Sequence, residues 1–562
     1  MTASKKVLKY IFVLQLIFIA GAGKMAAQQA SLADTLYQIV IHQDVDAAIG
    51  KYHALKKEDN NVYDFGEVQL NNLGYKLLGE NRFNAADRIF QLNIEQFPYS
   101  PNVYDSYAEC QLFIGNFPRA AQFYKKVIAM LPKADIEQNR KYFFESHART
   151  QLFHIENFDP PSDEAINYTT YFGGTNAGKG DLKNMAEFKS EKPGLKMSYT
   201  GYNIYATPVP TTIKNAFVSF RKGDVVSSVI GGAYRDYIER GDIADITALW
   251  EAEGWYDKFP ENFQKLSSHN GRQYFVPQAF QLNPIWYRKD VFSKLNLSPP
   301  DSWEALLTIC DTLHQAGYQP FALAGESRWP LPLARWFTIL NLRLNGPEFH
   351  ESVSKGEVDF TDPRIKGVFQ YWTQLFDHQA FSDSVAQTGY QTALNQLVQG
   401  EAAMYNLGEW MFESLPVNMQ TKLGFFFLPQ IRTDIPQAEI VHTYGAFLMA
   451  NNPHEAEAKT VLKFLGSKKS HANTAGEVNR LTPHADLRPN IYFSKMQRDL
   501  LTGIKDVDLL VPLLEFNMAP DMAKALLEGF RAFCDDRNDI DNVLAKLENT
   551  RRELFQIETM PN

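Results

Sequence analysis

Cysteine is scarce: Cys110, Cys310 and Cys534, about two hundred positions apart, are the three in a chain of 562 residues. Neither a disulfide framework nor a zinc knuckle can be read at such spacing. Positive charge is short as well, since 56 Lys and Arg against 65 Asp and Glu leave a formal net charge of −9. That balance disfavours a phosphate-backbone partner, so no nucleic acid is expected. Catalytic signatures are missing: there is no nucleophile elbow, paired-histidine zinc helix, phosphate-cradling glycine loop or calcium loop. The twelve histidines are scattered and form no ligand pair, and His269, His442 and His484 read as surface groups or as supports behind a site. No catalytic residue, metal ligand or cofactor is therefore nominated, and the chain is expected not to be an enzyme.

What is present is ordinary for a globular protein, with 45% hydrophobic and 22% charged residues. At roughly 100–200 residues per domain the length implies three or four folding units. Aromatics reach 13%; most fill cores, but their flat faces also suit pyranose rings. Residues 1–22 read as a secretory leader, with Lys5, Lys6 and Lys9 before an apolar run from Tyr10 to Ala20 and the small residues Ala20, Gly21 and Ala22 after it. An uncleaved anchor is the rival reading, and the run falls short of the roughly 20 residues that span a bilayer. No cysteine lies near the cleavage site, which excludes a lipoprotein anchor. A soluble periplasmic or extracellular product is expected.

Between residues 32 and 156 the apolar spacing is helical and repeats at an offset of 34. Phe83 matches Phe117, Ala86 matches Ala120, Phe90 matches Tyr124, Ile94 matches Ile128 and Pro98 matches Pro132. That period belongs to the tetratricopeptide repeat, a stack of helical hairpins. A weaker copy with Ala48 and Tyr52 precedes it at a longer spacing, and it and a helix over 141–153 cap the stack. The run from Tyr63 to Tyr75 also resembles the tetratricopeptide segments of some exported bacterial esterases, without their esterase domain. The repeat is either a docking surface for a protein partner or a spacer.

Residues 157–164, Asn-Phe-Asp-Pro-Pro-Ser-Asp-Glu, have the character of a linker. From 165 to 562, strand-like runs alternate with amphipathic helices, which predicts α/β layers. Ile166–Phe172 reads as a strand ending in Gly173-Gly174, Leu182–Lys192 as a helix, Gly194–Tyr199 as a strand, and Asp224-Val225-Val226 as another, closed by Gly231-Gly232. Glycine turns at strand ends are where ligands approach an open α/β sheet.

Several of these markers, in their order, resemble the extracellular solute-binding protein family that includes the maltose- and glycerol-phosphate-binding proteins. Asp224-Val225-Val226 and Gly241–Ile246 resemble one strand and its following turn. Ile285-Trp286-Tyr287-Arg288 is similar to the strand crossing between lobes, which usually reads tyrosine-asparagine-lysine, so that Arg288 is a departure. Pro299-Pro300 before Trp303 matches a helix start, which Asp301 or Ser302 can cap. Gly400–Trp410 is the most specific match, a buried strand with a glycine and an aromatic at its end. The resemblance implies two α/β lobes joined by crossing segments, closing on a ligand in the cleft between them. It further implies a sugar or oligosaccharide ligand and delivery to an ABC transporter permease.

On that reading Trp286, Trp329, Trp410 and Tyr444 lie near the cleft, Glu326, Arg328 and Glu409 are polar partners, and Gly445 and Gly174 are close-approach backbone. Each has a plainer reading: Trp286 in an apolar run can be core or hinge packing, and Glu326 with Arg328 can be a loop ion pair. Trp303, Trp336 and Trp372, within helical patterns, are assigned to structure. Two other functions compete. Glu326 with Glu409 is the one pair that could serve a glycosidase, and the helical fusion suits a ligand sensor that signals through its repeat.

Overall fold

The computed structural model describes residues 31–58, 62–80, 82–173, 176–203, 223–326, 331–413, 415–478, 480–487, 494–505 and 507–555. The expected leader lies outside them. The chain divides into two compact units between Leu152 and Phe153.

The first unit is all helix: α1 (Leu32–His42), α2 (Val45–Lys57), α3 (Glu67–Gly79), α4 (Phe83–Gln96), α5 (Pro101–Phe113), α6 (Phe117–Met130) and α7 (Gln138–Asn157), the last of which spans the division. Local chemistry sets the starts. Ser31 and Asp44 accept backbone N–H groups at the heads of α1 and α2, and Pro101 occupies the first turn of α5, where it forgoes no helical hydrogen bond. The bounds of α5 and α6 repeat those of α3 and α4 at an offset of 34 residues, whereas α2 precedes α4 by 38. Ala86, Ala120, Phe90 and Tyr124, paired by that offset, are all fully buried. Gly74 has a packing reason: a Cβ there would lie 2.6 Å from the Phe90 ring, so only glycine lets α3 and α4 approach this closely.

Residues 157–164, expected as a linker, are in part packed rather than free. Phe158 is buried in the second unit, and the Asp159 carboxylate accepts from Met197 N (2.9 Å) and Lys189 Nζ (2.6 Å).

Two sheets organise the second unit. The strands are β1 (Ile166–Gly173), β2 (Met197–Asn203), β3 (Val225–Val229), β4 (Val276–Leu282), β5 (Ile285–Arg288), β6 (Gln319–Ala322), β7 (Ala402–Asn406), β8 (Leu423–Phe426), β9 (Ala438–Leu448) and β10 (Leu509–Pro512). The first sheet runs β10-β9-β3-β1-β2 with β4 also on β9, and the second runs β8-β5-β7-β6. Strands such as β3 and β7 are buried at every position, which is why they read as apolar runs without alternation. Trp250, Trp255 and Phe259 fill the first lobe behind β1 and β3. In the second lobe, Phe337, Phe369, Trp372 and Phe530 pack together on helices, with Phe337 and Phe530 stacked at 4.8 Å. Trp303, Trp336 and Trp372 are all buried, as their helical pattern predicts.

The chain passes between the sheets three times. Asn283-Pro284 separates β4 from β5, a longer segment joins β8 to β9, and β10 leads into helices over 514–535 that pack on the second lobe. Ser302 supplies the expected cap, its Oγ accepting from Ala305 N at the head of α8 (Trp303–Gln315). Helix α9 (Leu331–Ser354) follows β6 and breaks at Gly346 (φ 84°), just before Pro347. A short helix α10 (Leu514–Asn517) follows β10.

Candidate functional site

Polar side chains converge where the three crossings meet. Asn283 sits at the first, and its Oδ1 accepts from Arg335 Nε on α9 at 3.0 Å. His442 lies on β9, its ring stacked on Phe516 (4.7 Å, 20°) and tilted against Tyr444 (4.9 Å). Glu515 lies on α10, beside that same Phe516. Asn406 ends β7 and faces Ile285 across the ladder. Arg335, Asn406 and Glu515 are each 1% exposed.

Burial of this kind is costly unless hydrogen bonds replace water. Here they do not: Arg335 Nη1, Asn283 Nδ2, both amide atoms of Asn406 and both ring nitrogens of His442 have no partner within the protein. Glu515 is the same, apart from its own backbone N–H. The electrostatics follow. Burial pushes the Glu515 carboxyl up to about 7, opposed by the Arg335 charge. Burial, with Arg335 and Arg480 nearby, holds His442 down at about 3, so the imidazole is neutral.

Aromatic faces border these groups. Tyr444 is nearly buried; its hydroxyl donates to Gln281 Oε1, and the Arg480 guanidinium stands 4.8 Å over its ring. It shares a cavity with Phe172 near the end of β1, Ser227 on β3, Gln278 on β4, Asp181 and Arg480. Trp410 is half-buried just past β7, 5.3 Å from the Tyr390 ring. Gly408 is needed for that placement, since a Cβ there would lie 2.5 Å from Trp410 Nε1 and 3.0 Å from Asn283 Oδ1. Glu409, between them, is buried.

The other expected site residues divide. Trp286 is core: it is fully buried, Nε1 donates to Leu407 O (2.7 Å), and Phe412 meets it edge-on at 4.8 Å. Gly445 is close-approach backbone, but to the protein itself. A Cβ there would meet Val276 O at 2.8 Å, at the irregularity where β9 shifts register against β4. Glu326 is half-buried after β6, its Oε2 filling the space beside Gly389. Gly174, Arg328 and Trp329 lie outside the described residues.

Sequence reading did not nominate Arg335, Asn283, Asn406 or Glu515, and it left His442 as a support. Asn283-Pro284 carried a signal, a breaker between two apolar strands that marks the crossing. Arg335 beside Trp336 and Glu515 in a Leu-Leu-Glu-Phe run carried none.

Comparison with known proteins agrees with this architecture. An uncharacterized ABC transporter extracellular-binding protein of Pyrococcus horikoshii is 24% identical over 328 residues, 57% of this chain and 70% of that protein. A probable sugar-binding periplasmic protein of Mesorhizobium japonicum is 25% identical over 256 residues, 44% of this chain and 59% of that one. Among solved structures, a bacterial solute receptor with an exclusive preference for β-D-galactopyranose superposes with a TM-score of 0.62 at 21% identity, covering 70% of this chain and all of that one. A chitin oligosaccharide binding protein gives 0.61 at 17% identity, with 69% and 99% covered. Residues 173–472, more than half of the chain, match the family described as bacterial extracellular solute-binding protein, and the chain belongs to that family.

Proposed function

We propose that this chain is an exported receptor that captures a sugar or oligosaccharide between its two lobes and presents it to the permease of an ABC transporter. The observation that carries the reading is the set of buried polar atoms without protein partners at the lobe crossings, bordered by Tyr444 and Trp410. Sugar hydroxyls supply the missing hydrogen bonds and pyranose faces suit the rings. The named relatives include a probable sugar-binding periplasmic protein, and among the described residues no helix is long and apolar enough to cross a membrane. The first unit is read as a tetratricopeptide stack, supported by the 34-residue offset of its hairpins.

A thermal-shift screen against mono- and oligosaccharides tests the binding, because a ligand that binds only the folded state raises Tm. At a ligand concentration one hundred times Kd the gain is about 2.7 kcal/mol. A screen in which amino acids or metal ions shift the Tm and no saccharide does would overturn it.

A further inference from the structure

We infer that the first lobe carries a second binding site, for a linear aliphatic diamine or polyamine, at the end of its sheet opposite the lobe crossings. A cavity of about 340 Å³ opens there, where β1 and β3 begin and β9 ends. That volume lies in the range of small-molecule sites, roughly 300–1,000 Å³. Asp224, one residue before β3, lines the cavity yet is only 3% exposed. Its backbone ties the three strands, N donating to Asn167 O (2.8 Å) and O accepting from Met449 N (3.0 Å). Of its carboxylate, Oδ2 accepts from Asn167 N at 2.7 Å and has His454 Nδ1 3.3 Å away. Oδ1 has no partner within the protein, and it is the oxygen the carboxylate keeps for the cavity.

The rest of the lining decides the ligand. Asp163 is exposed and makes no ion pair, whereas Asp242 is matched by Arg240, whose Nε and Nη2 donate to its Oδ2 at 3.1 and 3.0 Å. No lysine or arginine is among the described lining residues, so one buried and one exposed carboxylate face the space with neither to answer them. An anion is repelled by that field. Met449, Ala450 and Pro453 add apolar wall, which suits methylene groups. Tyr, Trp and Phe are absent from the described lining, so a pyranose has no face to stack on. Among the described residues no three carboxylate, imidazole or thiol groups gather closely enough to hold a metal ion. An ammonium needs less, because it donates up to three hydrogen bonds and is answered by a single carboxylate. Asp224 takes one nitrogen and Asp163 the other, with the alkyl chain along the apolar wall. The cavity shares no described residue with the one beside Tyr444, so the inference stands independently of saccharide capture.

The test titrates the full chain with putrescine, cadaverine and spermidine by calorimetry. 1,4-Butanediol is the uncharged counterpart of putrescine, and calcium chloride is the metal probe. At least one amine should bind at a single site and raise Tm, while 1,4-butanediol should not bind. Asp224→Asn keeps an acceptor oxygen but removes the charge, and should weaken that amine about tenfold or more. Because Asp224 also ties the strands, Asp163→Lys serves as a second variant. Its side chain is exposed and makes no ion pair, so the unliganded Tm should hold while the amine again loses about tenfold. Trp410→Ala, at the cleft, should leave amine affinity unchanged. The inference is overturned if no amine binds, if either Asp variant binds the amine as tightly as wild type, or if Trp410→Ala loses it. Calcium that displaces the amine, or 1,4-butanediol that binds as tightly as putrescine, overturns it as well. None of these outcomes touches the saccharide reading, which the sugar screen tests separately.

Discussion

Asp105 in the helical unit is buried, and His147 closes on it with Nδ1 2.9 Å from the carboxylate. Asp87 there accepts from Gln111 Nε2, and Glu109 accepts from the Tyr75 hydroxyl at 2.6 Å. Glu515 of the binding unit is buried just as deeply and faces Arg335 without an ion pair. Both units bury charge; only one completes it. The contrast concerns charge, because a receptor keeps charged groups for its ligand, while the buried atoms without partners among the described residues of the helical unit, such as the Tyr52 and Tyr124 hydroxyls, are neutral.

Acid should separate the two units most strongly. His350, His442 and His471 are held neutral by burial at about 4, 3 and 3. Their folded pKa values lie below the unfolded value near 6.5, so the stability they contribute is complete above that pH and is lost as pH falls toward 3 to 4. At pH 5 each should cost about 2 kcal/mol. Glu515 runs the other way, its carboxylate penalty fading as pH falls below about 7, but three histidines outweigh one carboxyl. In the helical unit burial raises Glu109, so acid does not weaken it through that group. Calorimetry at pH 7.5 and 5.0 should show the binding unit's transition falling well before the helical one, and two transitions that fall together break the contrast.

Arg343→Ala should have the next largest effect. Its guanidinium, fully buried on α9, donates to Leu428 O (2.8 Å) and Ala438 O (2.6 Å) and pairs with Glu439. It therefore clamps both ends of the β8–β9 crossing. Removing it strands a buried carboxylate, a loss of about 3–5 kcal/mol visible in denaturant titration of the binding unit alone. Gly74→Val addresses the other unit. Forcing a side chain into the Phe90 ring should cost about 1–3 kcal/mol and lower only the helical transition.

Trp410→Ala should weaken saccharide affinity several-fold, since an aromatic contact adds about 0.5–1.5 kcal/mol beyond its area, and should leave Tm little changed because the ring is half-exposed. Glu409→Gln on the same footing should weaken binding modestly; hydrolysis of a glycan by wild type that disappears in this variant would mark a glycosidase instead. The smallest effect is expected from a chain beginning at Gln138, which keeps α7 whole. Its affinity should equal that of the full protein, and a loss would mean that the helical unit contributes to the site.

Periodicity and order along the chain carried most of the architecture. The 34-residue offset located the hairpins of the first unit, because each packs mainly on its neighbours in sequence and repeats its own side chains. Glycines, prolines and buried apolar runs likewise located β1, β3, β5, β7 and the Ser302 cap, since these are local demands on backbone and burial. Glu409 and Trp410 were placed just past the end of β7 for the same reason, while Tyr444 lies midway along β9. The site floor was decided only by the tertiary structure. Asn283, Arg335, His442 and Glu515 come from segments up to 232 positions apart, and nothing in the neighbours of Arg335 or Glu515 distinguishes either from a solvated charge on a helix. Trp286 and Gly445 fell to the core and to strand packing because sequence specifies that a residue is apolar or small, while the crossing of two sheets specifies what it touches.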